Sequence, residues 1–500
     1  MNDRLRAVCD LMVAEARENA GMHEYDGRVQ DLSPEGVRAG LARLGGAPEP
    51  DPTDDAHLAA FEELMRVSLG ELEEHRSNPL FHIANLDLSG YGRAYAPAEQ
   101  RADARHRHLA AWPDAVDAAL AALDRVAAPV ARALLPAARG LTADLDAGAG
   151  PVEADALAAH GRLVGHLERA AANGHADVAL GASALARLMG SGEAVTVDLG
   201  RLAGQADDER HRLLAMLEDA CGRIGPGQPV AAVVDALTRD HPDADGVIDE
   251  ARVQVEEAIA FTRGRNLVPD LDGECLVGPA PPAKRWAFAM MAWAGPYEPD
   301  APSWYWVTPP APEWPREQQE EWLEAFNRTT LPAITVHEVA PGHFAHGRAL
   351  RRAPSDVRRA LMSMCFAEGW AHYVEELCVE EGFRADDPRF AAGVAIEALV
   401  RVTRLAVAIG VHSGSMTMDE AVRRFQDDAF LKGPAARSEA GRATFDPTYG
   451  RYTWGKFEIL SLQQRARDLW GEGYSHPRFH AALLGLGCPP LGLMEAALAG

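Results

Sequence analysis

The segment of the chain with the clearest capacity for chemistry is LPAITVHEVAPGHFAHGRAL at residues 331–350, which holds three histidines and one glutamate. His337 and Glu338 are adjacent, and a further histidine follows within two helical turns. Zinc in proteins takes imidazole nitrogens, and a neighbouring glutamate can act as general base on water polarised by the metal. The segment therefore predicts a zinc hydrolase site, with His337 as a ligand and Glu338 as the base.

The position of the second histidine departs from the usual His-Glu-x-x-His spacing. His337 and His343 are six residues apart, which on an unbroken helix turns them about 240° away from each other. Pro341 lacks the amide that an intact helix needs, and Gly342 permits unusual dihedral angles, so a break here could bring His343 round. Two alternatives stay open: a pairing of His343 with His346, and a site that uses His346 in place of His343.

A third ligand is expected on a following helix, in the stretch LMSMCFAEGWAHYVEELCVE at residues 361–380. Glu368, His372 and Glu375 stand at i, i+4 and i+7, so they share one helix face. Apolar residues surround that face, and a carboxylate in a core is costly unless it is paired or bound to a metal. We predict that Glu368 is the third ligand and that Glu375 orients one of the ligating histidines.

The elements that must position these residues are mostly helices. Residues 1–265 repeat apolar side chains at helical spacing, which favours a helical N-terminal region that forms one wall of a cleft. Residues 266–315 are dense in proline and tryptophan, and SWYWVT at 303–308 is the clear strand candidate. We expect residues 266–500 to supply this connector and then the helical metal-binding region, in one continuous structural unit with the first half.

Composition and charge exclude several classes of protein. Lys and Arg total 49 against 74 Asp and Glu, a net charge of −25, so we expect no nucleic-acid partner. The six cysteines form no CxxC pair, which argues against a disulfide framework or a cysteine zinc site. The charged, amphipathic N-terminus and the lack of a long apolar run predict a soluble, cytoplasmic chain without a membrane partner. The oligomeric state is left open.

The motifs HEVAPGH and EGWAHYVEEL resemble those of the domain-of-unknown-function 885 family, whose members carry His-Glu-x-x-Pro-Gly-His and a later Glu-Gly-Trp-Ala-x-Tyr-x-Glu. LVRVTRLAVAIGVHSGSMTMDEAV and EAGRATFDPTYGRYTWGKFEIL are similar to its downstream motifs. The family is similar to zincin metallopeptidases and to carboxypeptidase Taq-type metallocarboxypeptidases. The resemblance, specific over about residues 330–460, implies a mainly α, large helical zincin-like fold with a catalytic cleft and at most a small β-sheet.

The resemblance also implies a set of site residues. His337, His343 and Glu368 would hold one Zn²⁺ per chain, with Mn²⁺ or Co²⁺ as alternative metals. Glu338 would take a proton from water and pass it to the leaving amine.

Four further residues lie in the downstream motifs. Tyr452 and His412 are the candidates to stabilise an oxyanion. Arg404 and Arg442 could bind a substrate carboxylate through their guanidinium groups.

Three functions remain in competition. The first is a zinc-dependent hydrolase of peptide or related amide bonds, with carboxypeptidase-like action as one form, acting on a small peptide or amino-acid-derived substrate. The second is a family scaffold recruited for metal-dependent tailoring of an amino-acid-derived small molecule, which departures from the family motifs near His412 and Pro447 favour. The third is a non-enzymatic helical binding protein. A bound metal would separate the first two from the third.

Overall fold

The structure is a computed structural model that describes residues 1–269, 271–285 and 287–499. These residues form a mainly α-helical protein with one small β-sheet, as the sequence predicts. The α-helices are α1 (Asp3–Cys9), α2 (Val13–Glu18), α3 (Pro34–Leu41), α4 (Pro52–Met65), α5 (Glu74–Ser77), α6 (Leu80–Leu86), α7 (Ala98–Ala110), α8 (Trp112–Ala122), α9 (Ala128–Gly140), α10 (Pro151–Asn173), α11 (Ala182–Ser191), α12 (Leu199–Ile224), α13 (Val230–Thr238), α14 (Ala244–Arg265), α15 (Arg316–Leu323), α16 (Leu331–Glu338), α17 (His343–Leu350), α18 (Asp356–Ala360), α19 (Met364–Glu380), α20 (Pro388–His412), α21 (Met418–Ala429), α22 (Gly433–Ala443), α23 (Arg451–Trp470) and α24 (His476–Leu484).

Short helices of other types join these elements. A π-helix spans Arg66–Glu71 and continues α4. The 3-10 helices are His23–Tyr25, Ser89–Gly92, Pro282–Lys284, Glu324–Phe326, Gly471–Gly473 and Leu491–Ala499. Among the described residues, no helix combines the length and the apolar character that crossing a bilayer requires.

The sheet lies in the connector before the metal-binding segment. Its strands are β1 (Cys275–Pro279), β2 (Ala289–Ala292) and β3 (Ser303–Val307), in the order β1-β3-β2. β3 is the strand that SWYWVT predicts; it pairs parallel with β1 and antiparallel with β2. β2 therefore lies at one edge of the sheet, and it packs against α16.

Two later helices, α19 and α20, begin at clear sequence signals. Ser363 precedes α19, and its hydroxyl oxygen accepts the amide of Phe366. Asp387 precedes α20 and accepts the amide of Arg389, with a proline as the first helical residue. Such caps satisfy amides that have no partner inside the helix. Both helices are apolar over most of their length, so they pack as buried central helices.

A close approach of α19 and α23 places residues of both helices at the same site. A Cβ on Gly369 would lie 2.5 Å from the Cα of Gly455, and a Cβ on Gly455 would lie 2.0 Å from the carbonyl oxygen of Cys365. Only glycine fits at such a contact, since real Cβ atoms do not approach so closely. The contact brings Tyr452, at the start of α23, to the level of Glu368 on α19.

The two largest of the four apolar clusters of described residues account for most of the core. The larger one includes Leu5 near the start of the chain and Ala497 near its end, and it surrounds α16, α19 and α20. The smaller one lies between α6, α8, α9 and α10, around Trp112 and Leu163. Helices from both sides of residue 265 thus contribute to the core around the His-Glu motif.

Candidate metal centre

The His-Glu segment is broken where the sequence predicts a break. α16 ends at Glu338 and α17 begins at His343, with a cis peptide bond between Ala340 and Pro341. A Cβ on Gly342 would lie 1.8 Å from the carbonyl oxygen of His337, so this position requires glycine. The break brings the rings of His337 and His343 to 4.8 Å between centroids, at an angle of 87°.

The side chains of the three predicted ligands lie close together next to this break. His337 Nε2 lies 3.4 Å from Glu368 Oε2, and His343 Nε2 lies 3.2 Å from the same oxygen. One donor atom from each residue lies within 4.8 Å of the other two. In tetrahedral zinc sites, with bonds of about 2.0–2.1 Å, neighbouring ligand atoms lie about 3.3 Å apart. Two imidazole nitrogens and a carboxylate oxygen in this arrangement fit a single zinc ion.

His346 lies outside this donor cluster. Its Nε2–H donates to the carbonyl oxygen of Gly487 at 3.1 Å, and the residue is fully buried. The indole ring of Trp293 contacts the edges of both His343 and His346, at 6.0 and 5.8 Å between centroids. Of the two histidines that the sequence left as alternatives, the structure brings His343 to the cluster, while His346 packs behind it.

Glu338 is the predicted base, and it is buried beside the donors. Burial raises the pKa of Glu338, against the attraction of His337 and His343, which favours the charged form. Its Oε2 has no hydrogen-bond partner among the described residues. A buried carboxylate oxygen that no described residue satisfies is costly.

Glu375 occupies the orienting position that the sequence predicts. His337 Nδ1–H donates to Glu375 Oε1 at 2.6 Å, which leaves Nε2 of that ring to face Glu368. His372 Nδ1 lies 3.3 Å from the other oxygen of Glu375. Burial would raise the pKa of Glu375, but Arg401 and His372 hold it well below its usual range. The carboxylate therefore fixes the ring orientation of His337.

Arg401 is a residue of the site that the sequence analysis missed. Its guanidinium group lies 3.3 Å from Glu375 Oε1, and the residue is 5% exposed. The sequence does contain a signal for Arg401, because an arginine within the apolar stretch that forms α20 needs a carboxylate partner in the core. The partner itself depends on how α20 packs against α19, which the spacing along the chain does not give.

Tyr452 lies against the donor cluster from α23. Its ring lies 6.2 Å from that of His337, with 24° between the planes. The guanidinium groups of Arg404 and Arg401 lie 5.2 and 5.9 Å from the Tyr452 ring centroid. Burial, followed by the nearby charge of Glu368, raises the pKa of the Tyr452 hydroxyl. Tyr452 is therefore a neutral donor group next to the metal ligands.

The two predicted carboxylate-binding arginines already have acidic partners. Arg404 binds Glu439 through two hydrogen bonds of 2.7 Å. Arg442 donates to Asp446 at 3.1 and 3.2 Å. Both arginines lie near Tyr452, so they line the same side of the site, but their role toward a substrate stays a prediction.

The structure does not bring His412 to the donor atoms. Its Nε2–H donates to the carbonyl oxygen of Ala443 at 2.7 Å. His412 ends α20, eleven residues after Arg401, which corresponds to about 16 Å along the helix axis. We therefore leave His412 out of the proposed chemistry.

Fold and site together define a class: a mainly helical protein with a small sheet and a buried His–His–Glu cluster suited to one metal ion. The model of the family described as "Bacterial protein of unknown function (DUF885)" matches residues 15–498. The chain belongs to this family, as its motifs indicate.

Two solved structures share the fold. One is a "putative lipoprotein of unknown function" from Shewanella oneidensis, with 19% identity, a TM-score of 0.76, and coverage of 99% of this chain and 98% of that chain. The other is a "putative lipoprotein" from Colwellia psychrerythraea, with 16% identity, a TM-score of 0.78, and coverage of 99% and 97%. At this identity the likeness concerns the fold alone. A comparison with curated proteins finds no match.

Proposed function

We propose that this protein is a zinc-dependent hydrolase of peptide or related amide bonds. The observation that carries the proposal is the convergence of donor atoms from His337, His343 and Glu368 within 4.8 Å, beside Glu338. Glu338 Oε2 is buried and has no hydrogen-bond partner among the described residues, so it is available to a molecule bound at the cluster. Mn²⁺ and Co²⁺ suit the same ligand types, so the metal is part of the proposal.

A bound zinc ion would supply a Lewis acid that lowers the pKa of water toward about 7. Glu338 Oε2 would take the proton of the attacking water and deliver it to the leaving amine nitrogen. Its raised pKa suits this role, because burial makes the Glu338 carboxylate a stronger base than an ordinary glutamate. The hydroxyl of Tyr452 would donate to the oxygen of the carbonyl under attack.

The residues behind the ligands would hold this arrangement rigid. Glu375 keeps the His337 ring in the tautomer that presents Nε2 to the cluster. Trp293 packs against the rings of His343 and His346. Its indole N–H donates to the carbonyl oxygen of Asn19 at 3.0 Å, which ties the N-terminal region to the site.

The substrate would be a small peptide or an amino-acid-derived amide. The cytoplasmic location and the absence of nucleic-acid and membrane partners remain predictions from the sequence. A net charge of −25 supports the first of these absences, since such a chain repels phosphate backbones.

The proposal is tested by measuring whether hydrolysis depends on the bound metal. Purified chain is stripped with a chelator, reloaded with Zn²⁺, Mn²⁺ or Co²⁺, and assayed against di-, tri- and tetrapeptides and simple amino-acid amides. We expect hydrolysis by the unstripped and reloaded chain and none by the stripped chain. Stoichiometric zinc without cleavage of any member of the panel would contradict the proposal and favour a different metal-dependent reaction.

A further inference from the structure

Helix α20 presents three charged residues in a row beside the metal centre. Glu397, Arg401 and Arg404 stand at i, i+4 and i+7, so they share one face of the helix. The middle residue, Arg401, contacts Glu375, which in turn bonds His337. The side chains of Glu397 and Arg404 are 22% and 13% exposed, on a helix whose other residues are mostly buried. The two ends of this face therefore keep partial contact with solvent.

At the first end of this row, one guanidinium group faces two carboxylates. Arg401 is shared between two carboxylates, since its guanidinium lies 3.3 Å from both Glu375 and Glu397. Glu375 is fully buried and also binds His337 and His372, whereas the Glu397 side chain keeps 22% of its surface exposed. One guanidinium cannot pair fully with both acids, so the partly exposed acid, Glu397, can accept a second cation, whose charge would offset the cost of burying the carboxylate.

At the other end of the row, guanidinium groups outnumber carboxylates. Arg404 is matched by Glu439. Asp446, by contrast, is shared between two arginines, since both Arg442 and Arg451 contact its carboxylate. This group of contacts therefore contains three guanidinium groups and two carboxylates, and it lies on the Tyr452 side of the site.

The distance between the two ends matches a short peptide. Glu397 and Arg404 are seven residues apart, which is about 10 Å along a helix axis. An extended chain spans about 3.3–3.6 Å per residue, so about three residues would reach from one end to the other. The metal ligands lie beside the middle of this span, next to Arg401.

We propose that Glu397 binds the α-ammonium group of a short zwitterionic peptide of about three residues, whose carboxylate points toward Arg404 and Arg442. The inference rests on the proposed peptide hydrolase function and adds its substrate class. The inference also gives the direction in which the peptide binds, with its N-terminus at Glu397. Glu397 would then determine specificity for peptides with a free N-terminus. A blocked N-terminus removes the charge that Glu397 would bind, so N-acetylated peptides become poor ligands.

The experiment measures binding separately from cleavage. Zinc-loaded Glu338→Gln chain, which lacks the proposed base, is titrated calorimetrically with trialanine, N-acetyl-trialanine and trialanine amide. We expect N-acetylation to weaken binding about tenfold or more, the size of one charge-assisted hydrogen bond. Adding Glu397→Gln abolishes this difference, while Glu397→Asp, which keeps the charge, retains part of it. Adding Glu168→Gln, at the exposed Arg139 pair on α10, controls for overall charge and keeps the full difference.

The outcomes separate this inference from the proposed function. Equal binding of trialanine and N-acetyl-trialanine, or no binding of either, overturns the role of Glu397 even if the unaltered chain hydrolyses other peptides. A preference for the free N-terminus that disappears in the Glu397→Gln background supports it. If that preference holds while the unaltered zinc-loaded chain cleaves no peptide, the hydrolase proposal fails and the binding site remains. If Glu397→Gln does not fold, the Glu397→Asp titration decides alone, and an undiminished preference there contradicts the inference.

Discussion

Buried histidines occur in two regions of this molecule, and their partners differ. In the helical lobe around α8–α10, the His160 ring donates to the carbonyl oxygen of Ala138 at 2.8 Å. In the candidate metal centre, the rings of His337 and His343 face carboxylates, with Glu368 shared between them. A backbone carbonyl satisfies a neutral imidazole, whereas a buried carboxylate between two imidazoles calls for a positive charge.

The pKa values of His108 and His337 move in opposite directions. Burial lowers the pKa of His108, in the helical lobe, to about 3. Burial and Arg401 would also lower the pKa of His337, but its hydrogen bonds to Glu368 and Glu375 raise it to about 9. The charge of the partner, more than burial, therefore distinguishes a structural histidine from a candidate ligand in this protein.

Removing the proposed base would have the largest effect. For Glu338→Gln we expect turnover of a peptide substrate to fall by about a hundredfold to ten-thousandfold, because the amide cannot accept the proton from water. Zinc content should stay unchanged, since Glu338 is outside the donor cluster. Steady-state assays and metal analysis of the same preparation check both parts. Unchanged turnover at full zinc content would remove Glu338 from the mechanism.

Removing the orienting carboxylate would have the next largest effect. For Glu375→Gln we expect zinc affinity to fall by about tenfold to a hundredfold, because the His337 ring loses the acceptor that fixes its tautomer. Competition with a chromogenic chelator measures the affinity. Glu62→Gln is the matched control, since Glu62 is a buried acid paired with Arg4 in the N-terminal region. Equal zinc affinity in both variants would show that Glu375 has no orienting role.

A substitution of a histidine in the helical lobe should lower stability without changing zinc binding or turnover. His160→Ala leaves the Ala138 carbonyl without its buried donor, so we expect the free energy of unfolding to fall by about 1–3 kcal/mol. Zinc content and turnover should match those of the unaltered chain. Urea unfolding with metal analysis provides the measurement. Loss of zinc in this variant would contradict the claim that the histidines of the lobe are structural and take no part in metal binding.

A buried acid away from the histidines gives an effect that depends on pH. Burial raises the pKa of Glu193 to about 7, against hydrogen bonds from Leu491 and Ser363 that favour the charged form. The folded chain therefore keeps a proton that the unfolded chain releases above its ordinary pKa of 4.5. The free energy of unfolding should fall as pH rises from about 4.5 to about 7, and this contribution should then level off.

Glu193→Gln should remove that slope, which urea unfolding across this pH range measures. The contrast with the metal centre is informative, because His343 and His337 hold the pKa of Glu368 well below its usual range despite burial. A slope that persists unchanged in the variant would assign it to other groups.

Much of the site could be predicted because it is encoded in short segments. The His-Glu motif, the Pro-Gly break and Glu368 on the next helix follow from residue type and spacing. The mainly α fold and strand β3 follow from periodicity and from the aromatic and β-branched run at 303–308. These features depend on local chain geometry, which the sequence carries directly.

The remaining features depend on how distant segments pack. Arg401 meets Glu375 because α20 lies beside α19, and Trp293 reaches His343 from the connector. His412 belongs to a matching motif, yet the length of α20 carries it away from the donor atoms. Arg404 was expected to bind a substrate carboxylate, and the contact with Glu439 arises from packing of α22 against α20. Spacing along the chain gives none of these partners.

The most direct test is the zinc content of the unaltered chain beside His343→Ala, Glu368→Ala and His346→Ala, each purified without added metal and then offered zinc. We predict one zinc per chain in the unaltered protein and in His346→Ala, and loss of that zinc in the other two variants. No zinc in the unaltered chain, or zinc retained in both His343→Ala and Glu368→Ala, would contradict the account and leave a helical binding protein as the better description.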